Sequence, residues 1–325
     1  MLCRTANELY WMARHIERAE NTARLLDVTY RTSLLPYQLH EPGLGWAEPW
    51  AVPLITSGLA TAFYQRYPVL TAEHVLRYMM LDSTNPSSIY SGLRAARESA
   101  RSVRGAITSE MYEDLNSAWI EMRGYDYERI EAGGFSDFLD WVKMRSHLFR
   151  GVTFGTMLRD EAYHFIRLGT HIERADNTAR ILDTKYHILL PSVTDVGGAV
   201  DYYQWQSLLT SVSGFESYRK IYSDVISPHR VAELLVLRDD MPRSLHSCMN
   251  FIHETLERLC DEHSRELSRQ AGELHARLHY ARTDEMILFG LHEYLVDFLE
   301  RIAALGAEVS RVFLVPTYEE TGLIR

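Results

Sequence analysis

The sequence HIERAENTARLLDVTY, at residues 15–30, recurs as HIERADNTARILDTKY at residues 171–186. The two stretches are identical at 12 of 16 positions, and the offset between them is 156 residues. A repeat of this kind indicates two copies of one structural unit. We therefore interpret residues 1–156 and 157–313 as two tandem repeats, followed by a C-terminal tail at 314–325.

Weaker identities with the same offset run through the rest of both halves. They pair Val75 with Val231, Pro86 with Pro242, Ser88 with Ser244, Gly134 with Gly290, Leu139 with Leu295 and Arg145 with Arg301. Each identity alone is weak. Their common register predicts that the two halves fold alike.

Apolar residues recur with a helical period in both copies. The first copy has Leu9, Met12, Ile16, Ala19, Ala23, Leu26 and Tyr30, and the second has Phe165, Leu168, Ile172, Ala175, Ala179, Leu182 and Tyr186. Steps of three and four residues are typical of an amphipathic helix. Both helices are expected to end before Pro36 and Pro191, because the residue before proline is disfavoured in a helix.

Further helices are predicted downstream of the first motif. The segment Asn-Pro-Ser-Ser at 85–88 is typical of a helix start, with a capping side chain before proline. A helix should run from there to about residue 106, followed by helices at roughly 108–122 and 136–157. Since no strand pattern of useful length appears, we predict an all-α protein with about four helices per copy. The two bundles should pack with pseudo-twofold symmetry.

Composition limits the classes of protein. The chain has 325 residues, of which 46% are hydrophobic and 24% charged, as in ordinary folded proteins. Its net charge of −10 argues against nucleic acid as the main partner. We also expect no membrane partner and a cytoplasmic location, because no signal-peptide core or bilayer-spanning apolar run appears. The three cysteines show no CxxC pattern, so neither a disulfide framework nor a zinc site is predicted.

Polar residues of the repeated motif share one side of their helix. Glu17, Asn21 and Arg24 lie within about 60° of one another, opposite the apolar stripe, and Arg18 lies beside them. The equivalents in the second copy are Glu173, Asn177, Arg180 and Arg174. By default such a face is solvated, with ion pairs worth only a few tenths of a kcal/mol.

Identity between the copies argues for something more specific. The polar positions are the same in both motifs, whereas neighbours such as Val28 and Thr184 differ. We favour an interface in which the motifs exchange bidentate Glu–Arg contacts. The alternative is a functional site, with Glu17, Arg18, Glu173 and Arg174 as catalytic candidates and Asn21, Arg24, Asn177 and Arg180 as ligand-binding candidates.

A row of arginines is a second candidate site, for an anion. Arg94, Arg97, Arg101 and Arg104 recur at i, i+3, i+7 and i+10 on one predicted helix. Like charges at this spacing repel one another, so acidic groups should compensate them. Glu98 can supply part of the compensation, and Glu110, Glu113 or Asp114 on the following segment can supply more, so we favour this structural network. The alternative is a site for phosphate or carboxylate.

The sequence patterns of common catalytic and cofactor sites are missing. There is no GxSxG elbow, P-loop, Rossmann glycine pattern or haem-attachment motif. His15 and Glu17, like His171 and Glu173, are two residues apart and so point in different directions on a helix. Since a helical metal site needs an i,i+4 pair, we predict neither a metal nor a cofactor.

At residues 15–27 and 171–183 the chain resembles the bacterial alpha-E family, a domain of unknown function named for helices with a recurring Glu-Arg motif. The resemblance covers nearly the whole chain, and Glu17, Arg18, Glu173 and Arg174 carry the signature. Members are usually encoded beside a circularly permuted ATP-grasp protein and a transglutaminase-like protein. This setting implies the formation or modification of peptide amide bonds.

Two functions agree with this resemblance. The first is an accessory protein without catalysis that binds the ATP-grasp ligase or its product peptide. The second is an enzyme of peptide or amide chemistry, with Glu17 or Glu173 as acid/base and arginines as anion clamps. A cleft with room for a substrate would favour the enzyme, whereas paired and buried side chains would favour the accessory protein.

Overall fold

The computed structural model describes residues 1–33, 49–187, 198–262 and 264–315. Regular structure in these ranges is entirely helical, which confirms the predicted all-α class. The first half contains α1 (Cys3–Ser33), α2 (Val52–Thr56), α3 (Ala60–Arg66), α4 (Ala72–Met80), α5 (Ile89–Ser102), α6 (Ser109–Met122), α7 (Tyr127–Gly133) and α8 (Phe135–Thr156). The second contains α9 (Glu161–His187), α10 (Ala199–Ser211), α11 (Phe215–Tyr222), α12 (Pro228–Ala232), α13 (Leu245–Leu259), α14 (Arg265–His279), α15 (Thr283–Phe289) and α16 (Leu291–Val309). None of these described helices has both the length and the apolar character needed to cross a membrane.

The long helices match the sequence prediction better than the short ones. Both α1 and α9 end before the prolines at 36 and 191, which lie outside the described residues. Both α6 and α8 agree with the predicted bounds to within one residue. The predicted number of about four helices per copy is wrong, because the described residues of each half contain eight α-helices. Helices such as α2, α3 and α7 have only five to seven residues, which is too short to produce a periodic stripe.

The helix after the Asn-Pro-Ser-Ser segment begins later than predicted. Ser88, rather than Asn85, is its N-cap, and the Ser88 hydroxyl accepts a hydrogen bond from the Ser91 amide at 3.1 Å. Asn85 is buried and holds the preceding turn, where its Oδ1 accepts from the Ser87 amide at 2.9 Å. For this reason α5 starts later than the predicted helix, and it also ends earlier, at Ser102.

Helices α1 and α9 form the centre of the molecule. α1 packs against α9, α5 and α8, and α9 packs against α13 and α16. The predicted apolar stripes face this core, since Leu9 and Leu26 of α1 and Leu168 of α9 are completely buried. Each buried leucine contributes about 1.5–3 kcal/mol, so the stripe stabilises the contact between the two halves.

Gly169 allows a close approach of α9 to α1. A Cβ atom at this position would lie 2.3 Å from the backbone carbonyl oxygen of Tyr10, well inside contact distance. A backbone atom in the middle of a helix cannot move aside as a flexible side chain can. The crossing of the two helices therefore requires glycine here, and it brings the two repeated motifs within reach of each other.

Candidate functional site

The two motifs contact each other across the α1–α9 crossing. Arg174 donates to both carboxylate oxygens of Glu17, from Nε at 2.9 Å and from Nη2 at 3.0 Å. Arg18 makes the reciprocal contact with Glu173, from Nε at 2.5 Å and from Nη2 at 2.9 Å. The predicted exchange of Glu–Arg contacts is therefore confirmed.

Both glutamates and Arg174 are buried, so the default expectation of a solvated polar face is wrong for these three residues, whereas Arg18 is partly exposed. Glu17 is 1% exposed, Glu173 6% and Arg174 9%. A buried charge is tolerated only when it is paired and hydrogen-bonded. Each glutamate meets this condition through the arginine of the other motif.

Arginines from outside the motif complete the surroundings of Glu17. Arg150 of α8 donates to Oε2 at 2.9 Å, and Arg243, which lies just before α13, donates to Oε1 at 3.1 Å. Both arginines also bind Glu20, whose side chain is completely buried. No sequence pattern connects these arginines with the motif, because they come from other elements.

Two predicted ligand-binding residues belong to the same group. Arg24 donates to Glu20 at 2.8 Å and to the Ser213 hydroxyl at 2.6 Å. Asn21 accepts from Arg243 at 3.1 Å through Oδ1, while its buried Nδ2 has no hydrogen-bond partner among the described residues. We call this group the filled cluster: Glu17, Glu20, Asn21, Arg24, Arg150, Arg174 and Arg243.

The glutamates of the filled cluster are ionised at neutral pH. Burial alone would raise the pKa of Glu17, but the charges of Arg174 and Arg243 outweigh it and lower the pKa to about 2. The pKa of Glu20 is likewise lowered, because Arg243 and its other cationic neighbours outweigh burial. The filled cluster is therefore a network of ion pairs and holds no proton on its glutamates.

The second motif, in contrast, borders an open cleft of about 600 Å³. Its charged and amide walls are Arg14, Arg18, Asn21, Glu173, Asp176, Asn177 and Arg180. Glu173 accepts from Arg14 at 2.8 Å as well as from Arg18, and Arg180 makes a bidentate contact with Asp176 at 2.8 and 3.1 Å. The Nη1 atoms of Arg18 and Arg180 donate to no described residue, which leaves N–H groups for a ligand.

Two small residues keep this cleft open. With the 156-residue offset, Arg150 corresponds to Gly306 and Arg243 to Ser87, and both small residues line the cleft. A Cβ atom at Gly306 would lie at least 3.8 Å from every neighbouring atom, so there is room beside it. The second motif thus has the carboxylates and amides of the first without the two guanidinium groups that cover them there.

Glu173 is held in its ionised form inside the cleft. Burial would raise its pKa, but the charges of Arg18 and Arg14 lower it overall. Together with Asp176 and Arg180, the cleft presents three positive and two negative charges, already paired with one another. Such walls suit recognition of a ligand that carries both signs of charge.

The predicted arginine row does not come together as one site. Arg97 and Arg101 pair with Glu98 at 2.5 and 2.9 Å, which confirms the structural role predicted for Glu98. Asp114, one of the other expected counter-charges, lies 3.9 Å from Arg145 instead.

The outer members of the row contact aromatic rings. The Arg94 guanidinium lies 5.8 Å from the ring of Tyr90, and that of Arg104 lies 4.1 Å from the ring of Tyr112. Arg104 follows the end of α5, so the predicted i+10 spacing on one helix does not hold. Arg97 and Arg101 therefore share Glu98, whereas Arg94 and Arg104 each contact a different aromatic ring.

The pKa values of the two motif histidines, His15 and His171, are both lowered. Burial and the charge of Arg18 lower the pKa of His15 to about 4. Burial and the charge of Arg174 lower the pKa of His171 well below its usual value. Both rings are therefore neutral in the folded protein at pH 7.

We expect the free energy of unfolding to fall as the pH drops below about 6.5, where histidines of the unfolded chain take up protons that the folded protein resists. Each such histidine contributes about 1.4 kcal/mol per pH unit until its folded pKa is reached. Urea denaturation between pH 7 and 5 measures this slope. The His171→Asn variant should have a slope smaller by about that amount, and an unchanged slope would contradict the assignment.

The geometry defines the class of protein. It is a helical protein in which paired Glu-Arg motifs lie buried at the centre. The chain belongs to the Alpha-E family, whose model, described as a predicted alpha-helical domain with a conserved ER motif, matches residues 1–314. The resemblance drawn from the sequence is thereby confirmed. Neither a curated protein nor a solved structure matches this chain.

Proposed function

We propose that the two halves are copies of one helical unit, related by a pseudo-twofold axis at the α1–α9 crossing. The starts of α5 and α13, at Ile89 and Leu245, differ by 156 residues. Gly134 and Gly290, with the same offset, both have positive φ, 97° and 106°. The reciprocal Glu–Arg contacts are the pattern that a twofold axis between the motifs predicts.

We further propose that the protein is an accessory binding protein of an ATP-grasp-linked system that forms or modifies peptide amide bonds. Its partners would be the circularly permuted ATP-grasp protein and the transglutaminase-like protein that the family resemblance implies. The cleft carries the proposal, because Gly306 and Ser87 leave open beside the second motif the space that guanidinium groups occupy beside the first.

The charges of the cleft fit a short peptide with a cationic group and a carboxylate. The cationic group would lie against Glu173 and Asp176, as two arginines of the filled cluster lie against Glu17 and Glu20. The unused N–H groups of the cleft arginines suit a carboxylate.

The enzyme alternative has less support. A general acid must carry a proton near neutral pH, whereas neighbouring arginines lower the pKa of both Glu17 and Glu173. Glu17 is not among the residues that line the cleft. Glu173 does line it, but its two oxygens already accept three hydrogen bonds.

In the Gly306→Arg variant, the new arginine side chain should occupy part of the cleft. The space at Gly306 accepts a Cβ, and the guanidinium of Arg14, which binds Glu173, lies 4.0 Å from it, so the added side chain would extend into the cleft beside Arg14. We expect affinity for short peptides to fall about tenfold or more. Calorimetric titration with peptides that have free or blocked termini measures the effect.

Gly155→Arg is the matched control, since Gly155 is exposed on α8 with open space around it. Its peptide affinity should equal that of the wild type. A wild-type protein that binds none of these peptides would contradict the assignment of the cleft. Failure to co-purify with the ATP-grasp protein, when both are folded, would contradict the accessory role.

A further inference from the structure

Four histidines form a cluster between α13 and α14, outside the cleft and the filled cluster. His246 and His253 belong to α13, and His275 and His279 belong to α14. The ring centroid of His275 lies 5.9 Å from that of His246 and 5.8 Å from that of His279. One ring nitrogen from each of these three histidines lies within 4.8 Å of the other two.

The hydrogen bonding of His246 leaves a lone pair in the cluster. Its Nδ1 lies 2.8 Å from the carbonyl oxygen of Leu237, which can only accept, so Nδ1 carries the proton. The other nitrogen, Nε2, is then an acceptor. His246 is 7% exposed, and its Nε2 is buried with no hydrogen-bond partner among the described residues. A backbone carbonyl on one nitrogen with the other left free is the arrangement typical of metal-binding histidines.

His275 is oriented in a similar way. Its Nε2 lies 2.7 Å from Oδ1 of Asn250, which can only accept a hydrogen bond. Nε2 therefore carries the ring proton, and the lone pair is on Nδ1. The ring of His253 stacks on His275 with centroids 4.9 Å apart and an interplanar angle of 21°, which fixes the ring further.

We propose that His246, His275 and His279 bind a divalent transition-metal ion of the Zn²⁺ type. Three imidazoles and an open fourth position form a set that zinc accepts. A tetrahedral ion with Zn–N bonds of about 2.0–2.1 Å requires the nitrogens to move closer together, and His279, the exposed member, would have to turn towards the other two. The exposed side of His279 is also the entry path for the ion. The i,i+4 spacing of His275 and His279 is the sequence signal for this site, contrary to the expectation of no metal.

The first half of the chain shows that packing does not require these histidines. With the 156-residue offset, His246 corresponds to Tyr90 and His275 to Trp119. The rings of Tyr90 and Trp119 pack 5.0 Å apart between α5 and α6. A pair of ordinary aromatic rings therefore fills the equivalent contact between helices in the first half. Packing alone does not explain why histidines occupy these positions in the second half.

Titration of the chelator-treated full chain with Co²⁺, followed by visible absorption, tests this site. We expect one ion per chain, with bands of tetrahedral coordination that Zn²⁺ removes by competition. Because His279 is exposed, His279→Gln should keep the metal-free melting temperature while it weakens binding by more than about tenfold. The double variant His246→Tyr with His275→Trp should keep its helical circular dichroism and lose the bands.

His229→Gln is the control, since His229 is exposed, lies outside the cluster and contacts Asp284. Its Co²⁺ affinity should equal that of the wild type. The assignment would be overturned if the wild type did not bind Co²⁺ or Zn²⁺ at stoichiometric concentrations. It would also be overturned if His279→Gln bound the ion as tightly as the wild type, because the ion would then be held elsewhere.

Discussion

The Glu17→Gln variant is expected to lose about 3–5 kcal/mol of the free energy of unfolding. Glu17 is the one carboxylate that Arg174 contacts among the described residues, and both side chains are buried. Glutamine keeps the shape of glutamate without its charge, so Arg174 would be left ionised and unpaired. Arg150 and Arg243 would be affected less, because both retain Glu20.

Glu173→Gln is the matched comparison, and we expect it to cost about 1–3 kcal/mol. The side chains of its partners Arg14 and Arg18 are 17% and 26% exposed and line the cleft, so water can replace part of the lost interaction. Urea denaturation of both variants and the wild type gives the difference. An equal cost, or a larger one for Glu173→Gln, would contradict the distinction between the filled cluster and the cleft.

The same pair of variants separates the structural role from the binding role. Glu173 borders the proposed position of the cationic group of the peptide, so Glu173→Gln should weaken peptide binding in molecules that remain folded. Glu17 does not line the cleft. Its replacement should act on stability, with peptide binding altered only through loss of the fold.

The parts of the fold that were predictable are those with a long periodic signal. The stripe that includes Leu9, Leu26 and Leu168 identifies α1 and α9, because burial of one helical face requires that spacing. Identity of the motifs in the two copies predicts the contact of Glu17 with Arg174 for a similar reason. When two residues face each other across a twofold interface, each must fit the other, so both copies keep the same residues at these positions.

Burial of the polar face was not predictable from a helical wheel. A wheel shows which residues share a side of α1, but the elements that cover this side decide whether water reaches it. Here α8 and the segment before α13 bring Arg150 and Arg243 over Glu17 from distant parts of the chain. Neither arginine has a periodic relation to the motif.

The cleft depends on two small residues that do not by themselves indicate a functional site in the sequence. Gly306 and Ser87 are significant only because arginines occupy the corresponding positions of the other half. On the proposed pseudo-twofold arrangement, the chain itself completes one motif, and the proposed peptide would complete the other. The filled cluster therefore serves as a guide to what the cleft can hold.

The Gly169→Ala variant should be destabilised by about 3 kcal/mol or more. The new methyl group would lie 2.3 Å from the carbonyl oxygen of Tyr10, so α1 and α9 would have to move apart. Overpacking of a core costs about 1–3 kcal/mol, and more where backbone must move. Separation of the helices would also stretch the contacts of Glu17 with Arg174 and of Arg18 with Glu173, which span the same crossing.

Gly151→Ala on α8 is the matched control for this substitution. Gly151 is exposed, and an added Cβ would meet no atom within 4 Å. Alanine is favoured over glycine in a helix by about 1 kcal/mol, so this variant should be slightly more stable than the wild type. Denaturation curves of the two variants should therefore shift in opposite directions. If Gly169→Ala were also stabilised, α1 and α9 could not cross as closely as the paired motifs require.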